Sequence, residues 1–355
     1  MVNVLRIKES ENMNFSRYST LLILVLLSFF QLSCKNEGQK PQLNKSSTLK
    51  QTYAGYFPIG IGVHIWDIKN DTGKFVAKHF SSISTANAFK FEAIHPHADE
   101  YSFAEADSLV NFAEKNNMKV RGHTLLWTSR NPYWLFWDPK GNLVHRTLLT
   151  ERLKEHISTV VGRYKGRVYA WDVVNEAVYD NNKEFLKNNT WYKIMGEEYI
   201  LKAFQFAHEA DSSALLFYND YDAENPDKVK RITRLIKLLQ EKGVPIHGVG
   251  LQAHWTTDYP SLGNIEEAIK TYSSLGLQIH ITELEILDPL MQDQSDLSKV
   301  SKRYVDVFKI FRKYKKEITS VTLWKSSIYA NTFPPLFKKD FTIDERFSEI
   351  FLFEL

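Results

Sequence analysis

Eight times between residues 58 and 353 a short run rich in Val, Ile, Leu and aromatic residues is followed by a longer stretch whose apolar residues recur every three or four positions. Short apolar runs bounded by polar residues read as strands buried on both faces, and the longer period is that of an amphipathic helix. The predicted strands are 58–65, 80–85, 118–127, 168–175, 214–220, 246–254, 277–283 and 320–324. A short helical piece separates the first two; predicted helices follow at 103–117, 148–164, 191–210, 228–242, 265–274 and 297–314, with a closing helix at 344–353. Strands that alternate with helices pair in parallel, because each helix carries the chain back to the same end of the sheet. Eight such units close on themselves, so the predicted fold is α/β: a (β/α)8 TIM barrel forming a single domain.

A barrel of this size needs a large core, which 43% hydrophobic residues over 355 positions supply. All eight Trp lie at Trp66 or beyond, which places the start of the barrel domain near residue 51 and its end at 355. The net charge of +3, spread without a basic block, argues against a nucleic-acid partner and for a neutral or weakly charged one. The single cysteine, Cys34, excludes an intrachain disulfide and any cysteine-based metal cage.

Cys34 is informative by its position. Residues 21–30, after Arg17, are an apolar run too short to span a membrane and the right length for a signal-peptide core. Gln31-Leu32-Ser33-Cys34 resembles a bacterial lipoprotein signal, in which the cysteine carries the lipid, although Gln31 stands where an aliphatic residue is usual. Lys35-Asn36-Glu37 resembles the charged surface-export tag of lipoproteins in some Gram-negative bacteria. On this reading residues 1–34 are the signal peptide, with Met13 a more typical start for it than Met1, and the Lys-, Asn-, Gln- and Ser-rich residues 35–50 are a flexible tether. The expectation is an exported protein whose membrane contact is a lipid on Cys34, at the outer membrane or cell surface, with a periplasmic or freely secreted form as the alternative.

Barrel enzymes carry their chemistry at the C-terminal tips of the strands. In chain order those tips hold His64, then Asn87 with Lys90, His123 with Trp127, Asn175 with Glu176, Asn219 with Asp220, Gln252 with His254, Glu283 with Glu285, and Trp324. Hydrogen-bonding groups beside indole rings suit a carbohydrate, which offers hydroxyls to the first and C–H faces to the second. Glycoside hydrolysis needs one carboxylic acid and one carboxylate across the scissile bond, and Glu176 and Glu283 are carboxyl groups on two separate tips. Taken alone, Glu176 is equally well read as the acidic residue that opens the next loop or helix. A metal centre is the competing chemistry, with His64, His123, His254 and Asp220 as candidate ligands, but the chain has no His-Glu-x-x-His helix and neither a metal nor a cofactor is expected.

At these same residues the chain resembles glycoside hydrolase family 10, the family dominated by endo-1,4-β-xylanases. Asn87-Ala88-Phe89-Lys90-Phe91-Glu92 resembles the family's Asn-Ala-Met-Lys-Trp-Glu segment, and Arg121-Gly122-His123-Thr124-Leu125-Leu126-Trp127 its Arg-Gly-His-Thr-Leu-Val-Trp strand. Trp171-Asp172-Val173-Val174-Asn175-Glu176-Ala177 is similar to its acid/base strand, Gly250-Leu251-Gln252-Ala253-His254 to its Gln-x-His strand, and Ile281-Thr282-Glu283-Leu284-Glu285-Ile286 to its nucleophile strand, where Asp is more usual than Glu285. The resemblance implies that Glu283 is the nucleophile and Glu176 the general acid/base of a retaining hydrolase of β-1,4-xylosidic bonds. It further implies that His254, oriented by Glu285, favours the charged form of Glu283, whose negative charge in turn favours a proton on Glu176. Asn175 would bond the sugar's 2-hydroxyl, Asn87, Lys90, His123, Trp127 and Gln252 would line the non-reducing side, and Trp324 would form the floor.

The chain departs from the family pattern at Ala86, Thr128, Arg130 and the run from Lys325 to Thr332, all on the non-reducing side. These changes imply a related substrate such as a decorated xylan or shorter oligosaccharides, with Arg130 suited to a uronic acid or sulfate group. A retaining hydrolase of another β-linked glycan and a surface lipoprotein that binds glycans without cutting them are the alternatives. Family members are usually monomers, and the same is expected here.

Overall fold

The computed structural model describes residues 48–180, 184–290, 297–324 and 335–351. Nine parallel strands are present among the described residues: β1 (Ile59–Val63), β2 (Ser82–Thr85), β3 (Lys119–Trp127), β4 (Ala170–Asn175), β5 (Leu215–Asp220), β6 (Gly248–Leu251), β7 (His254–Thr256), β8 (Gln278–Leu287) and β9 (Ile318–Leu323). Sheet order runs β6-β5-β4-β3-β2-β1-β9-β8, and the pairing of β6 with β8 closes the barrel. Helices cross between strands at Asn70–His79, Ala104–Lys115, Arg146–Arg163, Glu198–Ala210, Pro226–Glu241, Leu262–Ser273 and Ser298–Lys313. Each presents an apolar stripe to the strands, as a helix in a βαβ unit must.

Three expectations shift in detail. The sixth strand is not continuous, because Ala253 takes φ +64° and divides it into β6 and β7. The helix expected at 191–210 breaks into Thr190–Met195 and Glu198–Ala210 at Gly196, whose φ of +62° lets its N–H return to the Tyr192 carbonyl at 2.8 Å. The folded region also starts before residue 51. Thr48 caps the helical turn Leu49–Thr52, Leu49 is fully buried, and Tyr53 donates from its hydroxyl to the Ile350 carbonyl at 2.9 Å.

The barrel interior mixes apolar layers with a buried ion pair. Arg121 of β3 forms a two-pronged ion pair with Asp172 of β4, and its Nε donates to His280 Nδ1 at 3.3 Å. Gly122, next to Arg121, admits the Trp171 indole, since a Cβ there would lie 2.2 Å from the ring. Irregular register between β3 and β4 and between β4 and β5 sets Trp127, Asn175 and Asn219 side by side at the C-terminal rim.

Candidate active site

Glu283 projects from β8 and is almost wholly enclosed. Its Oε1 accepts from Asn219 Nδ2 at 3.1 Å and lies 3.8 Å from His123 Nδ1, while His254 Nε2 lies 3.2 Å from its Oε2. Burial alone would raise the pKa of this carboxyl group, but His123, His254 and the Asn219 amide outweigh it and hold the value down to about 2. His254 shows the reverse balance. Burial opposes its charge, yet hydrogen bonds to Glu283 and to Glu285, whose Oε1 is 2.7 Å from Nδ1, push it up to about 10. It is therefore an imidazolium that donates one N–H to Glu283 and the other to Glu285.

Glu176 follows β4 directly and has φ +59°. Its Oε2 accepts from Trp127 Nε1 at 2.9 Å, and its Oε1 from Gln252 Nε2 at 3.0 Å and Asn175 Nδ2 at 3.1 Å. Gln252 Nε2 is also 3.2 Å from Asn175 Oδ1, and Asn219 Nδ2 joins Asn175 Oδ1 at 2.9 Å to Glu283. The two carboxyl groups are thus linked through three amides, on β4, on β5 and in the break between β6 and β7. One carboxylate is stripped of water and fixed by the His254 imidazolium, and the other sits half-buried among neutral donors.

Around this pair, the Lys90 ammonium lies 5.1 Å from the Trp127 ring centre, its pKa lowered by burial against the opposing pull of Glu283. The Trp324 ring meets His123 edge-on at 6.1 Å and lies over Gly62, where a Cβ would stand 2.4 Å from the indole. Asn87 sits in the turn after β2, its carbonyl accepting from Lys90 N at 2.9 Å. Arg130 is exposed and donates to Glu92 at 2.9 Å, on the chain that carries Lys90. Ala86 is buried behind the rim. The Lys325–Thr332 run and Cys34 lie outside the described residues.

Two groups escaped the sequence reading as site residues. Asn219 was placed on the rim without a role, yet it touches both Asn175 and Glu283, with Thr282 Oγ1 donating to its Oδ1 at 2.7 Å. Asp172 was part of a motif, and in the structure it holds His123 through Nδ1 at 2.9 Å while paired with Arg121. The candidate metal ligands are otherwise engaged. His64 stacks on Trp66 at 4.4 Å, Asp220 pairs with Lys228 at 2.9 Å, and His254 serves the two glutamates. The chain does carry one ligand-like spacing, His95-Pro96-His97, but His95 is buried and stacks on Tyr101 at 3.8 Å. Among the described residues no group of three His, Cys, Asp or Glu is placed to hold a metal ion.

The same fold occurs in known proteins. The sequence model described as Glycosyl hydrolase family 10 matches residues 48–339. Endo-1,4-beta-xylanase B of Paenibacillus barcinonensis is 44% identical over 286 residues, covering 78% of this chain and 86% of the relative. Beta-1,4-xylanase of Dictyoglomus thermophilum is 43% identical over 320 residues, covering 87% and 88%. Among solved structures, xylanase XynB from Paenibacillus barcinonensis complexed with a conduramine derivative superimposes with a TM-score of 0.81 at 39% identity, covering 86% of this chain and 98% of that one. An endo-1,4-beta-xylanase from Caldicellulosiruptor owensensis gives a TM-score of 0.81 at 41% identity, covering 86% and 99%. With its closed barrel and its paired glutamates, one directly after β4 and one within β8, this chain belongs to glycosyl hydrolase family 10.

Proposed function

We infer that this protein hydrolyses β-1,4-xylosidic bonds in xylan or xylo-oligosaccharides by double displacement, with retention of anomeric configuration. The observation that carries the assignment of roles is the electrostatic asymmetry of the two glutamates. Glu283, held ionised by the His254 imidazolium, attacks the anomeric carbon while Glu176 delivers a proton to the departing oxygen. In the second step water attacks the same carbon, Glu176 takes its proton, and Glu283 leaves as a carboxylate. Asn175, pinned by Asn219 and Gln252, offers its amide to the 2-hydroxyl, and Trp324 packs beneath the sugar.

The departures from the family pattern at Ala86 and Thr128 support decorated or shorter chains as the substrate over long bare ones. Arg130 retains a role in this reading only by exchanging Glu92 for an acidic side group of the substrate, and Arg130→Ala tested on glucuronate-bearing and undecorated oligosaccharides reads this directly. Reducing ends released from xylan by the wild type, and lost in Glu176→Ala and Glu283→Ala, test the activity. Equal inertness of all three on a panel of β-glycans would leave the glycan-binding alternative. We propose further that Cys34 is lipidated and anchors the protein at a membrane surface as a monomer. The apolar run at 21–30 ahead of the cysteine supports this, and release of Cys34→Ser from the membrane fraction tests it.

A further inference from the structure

A non-glycine residue at positive φ is held there by its surroundings, and Glu176 is such a residue at +59°. The two N–H groups that follow it, those of Ala177 and Val178, are buried, and both donate to the hydroxyl oxygen of Tyr218, at 3.0 and 2.9 Å. A phenol has two lone pairs and one proton. Both lone pairs are taken by the loop, so the proton must go to a third group, and it goes to Asp220 Oδ2.

Asp220 is fully buried, and its charge is met by Lys228 Nζ at 2.9 Å. Lys228 is itself buried and also holds Asp180 Oδ1 at 2.9 Å, four residues beyond Glu176 on the same loop. Tyr221 donates to the other Asp180 oxygen at 2.6 Å, and Arg231 Nε donates to the Tyr179 carbonyl at 3.0 Å. The tip of β5 and the helix Pro226–Glu241 therefore grip the loop from the Ala177 amide to the Asp180 carboxylate. Trp127, Gln252 and Asn175 fix the Glu176 carboxyl group from the cleft side, and this second set fixes its backbone from behind.

We propose that Tyr218, supported by Asp220 and Lys228, is a positioning residue for proton delivery, setting the backbone that aims Glu176 at the leaving oxygen. It never meets the substrate and acts only through the loop. The proposal rests on the assignment of Glu176 as acid/base. Its consequence is selective: in the first step the bond from Glu283 to the anomeric carbon forms as the glycosidic C–O bond breaks, and only a poor leaving group needs the proton.

The test compares kcat/KM, which reports that first step, for a phenyl and a 2,4-dinitrophenyl β-xylobioside with wild type, Tyr218→Phe, Asp220→Asn and Glu176→Ala, each checked for folding by circular dichroism. Tyr218→Phe is expected to lower the phenyl value by about 10- to 100-fold while the dinitrophenyl value changes by less than about threefold. Asp220→Asn, which keeps the size of the group, is expected to follow the same pattern and is read in its place if Tyr218→Phe does not fold. Equal losses on both substrates, or no loss on either, would overturn the positioning role. If Glu176→Ala itself loses both substrates equally, the acid/base assignment falls instead.

Discussion

Replacing His254 by Ala tests the electrostatic basis of the nucleophile. Glu283 is displaced from an ordinary value of 4.5 to about 2 despite its burial. That gap corresponds to roughly 3 kcal/mol favouring the ionised form, at about 1.36 kcal/mol per unit. His254 acts on it both as a charge and as a hydrogen-bond donor 3.2 Å away, beside the contributions of His123 and Asn219. Removing the one of these three groups that acts in both ways should raise the Glu283 value by about one to two units, and the charge of Glu285 nearby adds in the same direction. The acid limb of kcat/KM then moves upward, because the carboxylate that attacks is protonated earlier as pH falls. The assay is a brief pH jump between about pH 2.5 and about pH 6, with enzyme held at the upper value so that unfolding does not intrude. In that window the wild type should show almost no acid limb, and a variant that shows none either would refute the claim that His254 keeps Glu283 ionised.

Other expectations follow from the same geometry. His254, raised from 6.5 to about 10, adds stability that is complete below its unfolded value and lost as pH climbs through the folded one, so Tm should fall more between those values in wild type than in His254→Ala; equal slopes would contradict it. Asp172→Asn leaves the enclosed Arg121 without a counter-charge and should cost about 3–5 kcal/mol in urea unfolding, and a loss below about 1 kcal/mol would show that the pair is dispensable. Gly62→Ala drives a methyl group into the Trp324 indole and should lower kcat/KM on xylan at a stability cost of about 1–3 kcal/mol, whereas unchanged kinetics would remove Trp324 from the sugar floor.

The barrel was legible because its parallel strands are covered on both faces, so that β4 is buried along its whole length and β8 along most of its own, and such strands are rich in Val, Ile, Leu and Trp. The carboxylate pair was legible because each glutamate ends or follows such a run. The break between β6 and β7 was not, since it depends on Ala253 taking a conformation that alanine seldom adopts and that only the packed rim imposes. The interruption at Gly196 could have been read, a glycine inside a helical pattern being a stop signal. Asn219 and Asp172 stayed hidden for another reason. Their partners, Glu283 and Arg121, lie 64 and 51 residues away, and bulges in β3–β4 and β4–β5 decide which side chains meet.

The central claim is a covalent intermediate on Glu283. Incubation with a 2-deoxy-2-fluoro β-xylobioside bearing a dinitrophenolate leaving group, followed by peptide mass spectrometry, tests it directly, because the fluorine slows both steps while the activated leaving group keeps the first one accessible. The account predicts a stoichiometric adduct on the peptide containing Glu283, formed in Glu176→Ala as well and absent in Glu283→Gln. An adduct on Glu176, or turnover with inversion and no adduct at all, would contradict it.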